Sequence, residues 1–207
     1  MHHAWERLLY LTATRTGIIH VVNKLAKFTR KPGKIHFKAL VHVLRYLRDN
    51  VGYGVKFYSN ASESPINQML KEQKLVIDHL LLGFSDSSWN NDADTGRSTG
   101  CYLITYKGGV VGHSSILPDP IALSSVEAEY NESCIAFMAA SHLVMLLNEL
   151  KFVDQYDHNR RPTPISLDST SAIPMGNSFR DTRHTRHIMR RHQCVREQIE
   201  LGIYITL

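Results

Sequence analysis

Three carboxylates in this chain of 207 residues stand in an order that could do phosphoryl chemistry. In "LSSVEAEY", residues 123–130, two glutamates two positions apart open a long apolar helix. Successive helical residues turn by about 100°, so Glu127 and Glu129 point to nearly opposite sides and only one can serve a given site. Ser124 followed three residues later by Glu127 fits a capping box, which gives Glu127 a sufficient structural job. Glu129 instead begins the series Glu129, Ser133, Ala136, Ala140, Leu143, Leu147, Leu150, the face a helix turns to its sheet. A carboxylate there is costly unless paired or bound to a metal; the competing role is a place at the sheet's edge, where it simply reaches water. In "HLLLGFSDSSW", strand alternation puts Asp86 on the side of Leu80, Leu82 and Phe84. Asp168 closes the strand "PISLD" before a helix begins, where α/β sheets carry functional groups and where an ordinary N-cap would also stand. One acid on a first strand, one on the following helix and one ending a later strand can hold hard divalent cations. Two such ions, about 4 Å apart, activate water and stabilise the leaving oxygen in phosphodiester cleavage.

The elements that must position these acids follow a change in pattern along the chain. From Trp5 to about Tyr58 the periodicity is helical, with Leu40, Val43, Leu44 and Leu47 at helical spacing and "RKPGK", residues 30–34, as a break. "VGYGVKFYSN" reads as a short strand, and the polar residues 59–76 read as a linker. Then come "HLLLGFSDSSW", "GCYLITYK" and "VVGHSSI", short β-like runs of which the last two are joined by the hairpin "KGG". A helix over 125–150, the strand "PISLD", a short helix near "STSAI", a basic helix through "RHTRHIMRRHQCVREQI" and a last strand "GIYITL" complete the order. The expected fold is α/β, a mixed sheet with flanking helices, and the expected division is a helical segment 1–58, a linker 59–76 and a domain 77–207.

Composition limits the function classes. With 43% hydrophobic residues, 21% charged and no apolar run near the roughly 18 residues a membrane span needs, the chain reads as soluble and globular. No apolar stretch follows the Met-His-His start, so an intracellular protein is expected, with cytoplasm and nucleus not distinguished. Cys101, Cys134 and Cys194 are odd in number and widely spaced, which suggests reduced thiols rather than a disulfide framework. Residues 1–76 carry 13 Lys and Arg against 4 acids, and residues 77–207 carry 11 against 15. A basic first third suits a phosphate backbone, or equally a solvated helical surface.

Read in order, "GFSDSSW", "GRSTGCYLITYKGGVVGHSS", "ALSSVEAEY", "ISLDSTSAI" and "HTRHI" resemble the ribonuclease H domain of copia-type retrotransposon polyproteins. The upstream "YLTATRTGIIHVVNKLAKF" and "HFKALVHVLRYLRDNVGYGVKF" resemble the segment joining the reverse-transcriptase palm to that domain. The resemblance implies a five-stranded mixed sheet with helices and magnesium- or manganese-dependent cleavage of RNA paired to DNA, with two ions held by Asp86, Glu129 and Asp168. It also implies a fourth acid two residues after the His of the family's "KHI" motif. Here that position is Met189, and a thioether does not suit magnesium. His187 or His192 could substitute as general acid or base, against a plain surface role on a basic helix.

Candidate contacts to the hybrid are Arg183, Arg186, Arg190 and Arg191, with Ser124 and Ser125 at the start of the 125–150 helix; charge contacts of this kind hold a duplex without reading its sequence. The spacing of His184, His187, His192 and Cys194 lacks the tight ligand pairs of structural zinc sites. No Y-x-D-D polymerase motif is present, so a reverse-transcriptase palm of the same or another polyprotein is an expected partner, and the chain reads as the C-terminal piece of such a polyprotein. A DNA integrase or transposase could also use three acids, but the motif words around Asp86 and Glu129 argue against it. The rival class is a weakened or inactive nucleic-acid-binding remnant.

Overall fold

The computed structural model describes residues 2–72, 81–92, 94–117, 121–151, 163–167 and 204–206. The chain divides into two compact units, Met1–Lys56 and Phe57–Leu207.

The first unit is helical. α1 (His2–Leu11), α2 (Ile19–Ala26) and α3 (Lys34–Asp49) are joined by a 3₁₀ turn at Thr16–Ile18 and by the break around Pro32. Proline has no N–H to give and disfavours helix in the residue before it, so α2 and α3 cannot merge. Leu8, Ile18, Val22, Leu25, Leu40 and Val43 form the core. Leu40 and Val43 are buried as their spacing predicts and Leu47 is partly buried, whereas Leu44, beside them in sequence, is exposed. Trp5 closes the packing by donating its indole N–H to Val22 O at 3.2 Å. Arg15 donates to Asn50 O at 2.7 Å and to Val51 O just past α3, a cation at the negative end of a helix.

The second unit is built on one sheet of order β3-β2-β1-β4-β5. β1 (Leu81–Ser88) pairs antiparallel with β2 (Thr99–Tyr106), β2 antiparallel with β3 (Gly109–Ile116), and β1 parallel with β4 (Thr163–Leu167), which is parallel to β5 (Tyr204–Thr206). This is the five-stranded mixed sheet, with helices, that the resemblance implies. The β2–β3 hairpin turns through Lys107 (φ 49°) and Gly108 (φ 77°), the two positive φ angles of a type I′ turn. α5 (Ser125–Glu149) lies across β1 and β2. Tyr130, Cys134, Phe137, Ala140 and Val144 pack from it onto Leu81, Ile104 and Ile165. Burying each large apolar side chain contributes about 1.5–3 kcal/mol, so this face fixes the helix to the sheet.

Two expectations differ from the structure. The segment 59–76 carries a helix in its described part, α4 (Pro65–Glu72), because Leu70 finds Leu82, Ile66 and Phe84 to pack with. No strand forms over 51–60: Val51, Tyr53 and Phe57 are exposed, and the segment has no ladder partner to complete its hydrogen bonds. The helices read at "STSAI" and through "RHTRHIMRRHQCVREQI" lie outside the described residues.

Candidate active site

Asp86 occupies the sixth position of β1, opposite Cys101 of β2. Its alternation partners Leu82 and Phe84 pack with Leu70 of α4, while Leu81 packs under α5, so Asp86 belongs to the α4 side of the sheet and is exposed. β1 is held in register on its other flank by β4, where Ser85 pairs with Leu167. Asp168 follows Leu167 in the sequence and lies outside the described residues. So do His187, Arg183, Arg186, Arg190, Arg191 and Met189, as well as His184, His192 and Cys194.

The start of α5 is pinned to the same end of the sheet. Trp89, directly after β1, donates its indole N–H to Ala122 O at 3.1 Å. Ser124 is the N-cap, in extended conformation (φ −147°, ψ 162°), and its Oγ accepts from Glu127 N at 3.1 Å. Glu127 reaches back to accept from Leu123 N at 2.8 Å, one residue earlier than the standard capping box. Glu127 is thus engaged at the helix end. The Ser124 and Ser125 side chains are exposed at this first turn, Ser124 with its oxygen committed to the cap.

Glu129 is half-buried, and its Oε2 is buried without a hydrogen-bond partner. An unpartnered buried oxygen of this kind is one that a bound water or ion would satisfy. A carboxylate oxygen is the hard donor type that magnesium or manganese takes. Among the described residues no three His, Cys, Asp or Glu side chains converge on one point.

One acid escaped the sequence reading. Glu132, three residues after Glu129, is completely buried with neither oxygen hydrogen-bonded, and burial pushes its carboxyl up to about 7. A Cβ on Gly100 would lie 1.7 Å from Glu132 Oε2, so only glycine admits this carboxylate. The thiol of Cys101 is raised by burial first and then by Asp86 and Glu132; the Tyr102 hydroxyl is raised by burial and then by Glu132. The available signal was its spacing, since residue i+3 of a core-facing helix position also turns toward the sheet.

Known proteins are similar to nearly the whole chain. No protein-family model matches the chain. The chain is 29% identical over 194 residues to the retrovirus-related Pol polyprotein from transposon TNT 1-94 of Nicotiana tabacum, which covers 93% of this chain and 13% of that protein. It is 33% identical over 124 residues to secreted RxLR effector protein 161 of Plasmopara viticola, covering 59% of this chain and 76% of that protein. Along nearly its whole length the chain is a retrotransposon-polyprotein sequence. It corresponds to a fragment of these polyproteins, spanning about an eighth of the length of the tobacco relative. A solved RNase H1 isolated from compost aligns with 61% of this retrotransposon polyprotein fragment and 81% of its own chain, at 13% identity and a TM-score of 0.35. Within the fragment, Asp86 stands on the first strand and Glu129 on the helix after the hairpin.

Proposed function

We propose that this chain hydrolyses the RNA strand of RNA–DNA hybrids by a two-metal mechanism, as a unit of a retrotransposon-derived polyprotein. The observation carrying this reading is the unpartnered, buried Oε2 of Glu129 on a helix whose start is tied by Trp89 to the end of the strand that bears Asp86. Asp86, Glu129 and Asp168 would hold two magnesium or manganese ions. When bound, the ions supply charge stabilisation and water activation for phosphodiester cleavage. The chain's own part would be to fix the carboxylates: β1 is held between β2 and β4, and the Ser124 cap holds the first turn of α5, the helix that carries Glu129. His187 would move a proton at the leaving or attacking oxygen in place of the acid absent at Met189; His187→Ala then lowers the rate by about 10²–10⁴-fold. Arg183, Arg186, Arg190 and Arg191, with Ser124 and Ser125, would contact phosphates, and the basic helices before residue 60 would add to the grip on the hybrid. A separate palm domain is the partner that supplies polymerisation, in an intracellular setting.

The test is incubation of the full chain with a labelled hybrid and magnesium or manganese, beside Asp86→Asn. The expected result is cutting of the RNA strand alone, lost in the variant. Binding without cutting in either metal would sink the nuclease reading. It would leave a non-catalytic nucleic-acid-binding module, the second reading, which the methionine at 189 favours.

A further inference from the structure

Four buried side-chain oxygens near the start of α5 have no hydrogen-bond partner: Ser87 Oγ, Glu129 Oε2, and Oε1 and Oε2 of Glu132. Their backbones bring them to one side of the sheet. Ser87 pairs directly with Gly100, so the two residues face the same way. Glu132 Oε2 sits over Gly100, in the space a Cβ there would need. Glu129 is one helical turn before Glu132, on a neighbouring row of the same helix face. A native structure leaves few buried polar atoms unsatisfied, and an unfilled water or ion is a standard reason for a group of them.

The donors are a hydroxyl and two carboxylates, all hard oxygens, and no basic side chain among the described residues neutralises Glu132. A single buried water makes about three hydrogen bonds but cannot compensate two carboxylates. A divalent cation can do both.

We infer that Glu132 binds a divalent cation together with Glu129 Oε2 and Ser87 Oγ on the α5 side of the sheet, the side opposite the one to which Asp86 belongs. This goes beyond the nuclease reading and shares only Glu129 with it. Gly100 is part of the device, because any side chain there would occupy the Glu132 carboxylate's place.

The test is manganese binding to the full chain without nucleic acid, by titration calorimetry and by the rise in melting temperature, for the wild type, Glu132→Gln and Glu132→Asp. Glu132→Gln keeps the shape and removes a buried charge, so it folds at least as well without metal. The expected result is a loss of manganese affinity of about tenfold or more in both variants, with a smaller metal-induced rise in melting temperature. Wild-type affinity in Glu132→Gln overturns the inference and leaves these oxygens to water or to a proton. Weakened manganese binding in a protein that leaves the hybrid intact would keep Glu132 as a ligand and remove the nuclease. Hybrid cleavage with unchanged affinity in the variants would do the reverse.

Discussion

At the scale of single residues, burial of Glu132 against Gly100 makes a proton part of folding in the absence of metal. The folded carboxyl titrates near 7 and the unfolded one near 4.5, so the folded state binds the proton more tightly. The stability this gives is full below about pH 4.5, falls as pH rises toward 7 and is gone above it; the size of the loss is roughly 3 kcal/mol. Chemical denaturation of the metal-free protein between pH 4.5 and 8 should show this decline, and Glu132→Gln should be flatter across the window. A Glu132→Gln protein with the same slope as the wild type would place the titration elsewhere. The residue was hard to find by pattern because its neighbours Tyr130, Cys134 and Phe137 define the apolar stripe and Glu132 lies off its centre. Only the pairing of Ser87 with Gly100 and the space over Gly100 disclose what it faces. Glu129 was legible for the opposite reason: it starts an unbroken series running to Leu147, so its carboxylate conflicts with the rest of its row.

At the scale of elements, the site depends on where α5 begins. Ser124→Ala removes the side-chain acceptor for Glu127 N and leaves an orphan donor at the helix end, at a cost of about 1 kcal/mol. Because Glu129 is within the first two turns, fraying there also loosens one carboxylate of the proposed cation centre. The variant should therefore lose that stability in a thermal melt and, if the hybrid is cleaved, lose rate at low metal concentration more than at saturation. Equal loss at all metal concentrations would separate the cap from the site. Local chemistry made this region readable: Ser124 and Glu127 encode the cap, and Lys107-Gly108 encode the hairpin turn. Residues 59–72 misled because α4 is polar on most faces and is held by Leu70, whose partners Leu82 and Phe84 are distant in sequence. "VGYGVKFYSN" misled because alternation marks a strand only where another strand takes its hydrogen bonds.

At the scale of the whole molecule, charge is divided between the two units more sharply than composition suggests. Met1–Lys56 holds eleven Lys and Arg against Glu6 and Asp49, a net +9, while the full chain has only +5. The rest is therefore net negative, which suits a cation centre and repels a phosphate backbone unless ions or basic segments offset it. Within the first unit Arg30, Lys31, Lys34 and Lys38 cluster around the α2–α3 break, all exposed, with no acid between Glu6 and Asp49. A polyanion held by such a surface releases condensed counterions, so its affinity falls steeply with salt. Hybrid binding by the full chain, followed by fluorescence anisotropy in calcium-containing buffer at increasing salt, should give a steep negative slope of log affinity against log salt. Replacing Arg30, Lys31 and Lys34 together by alanine should make that slope shallower by about 2–3, since each phosphate contact contributes roughly 0.9 for duplex DNA. The same triple variant should keep the manganese affinity of the wild type, because none of the three belongs to the second unit. A slope unchanged by the triple variant would assign hybrid binding to the second unit and leave the first unit's charge as a solvated surface.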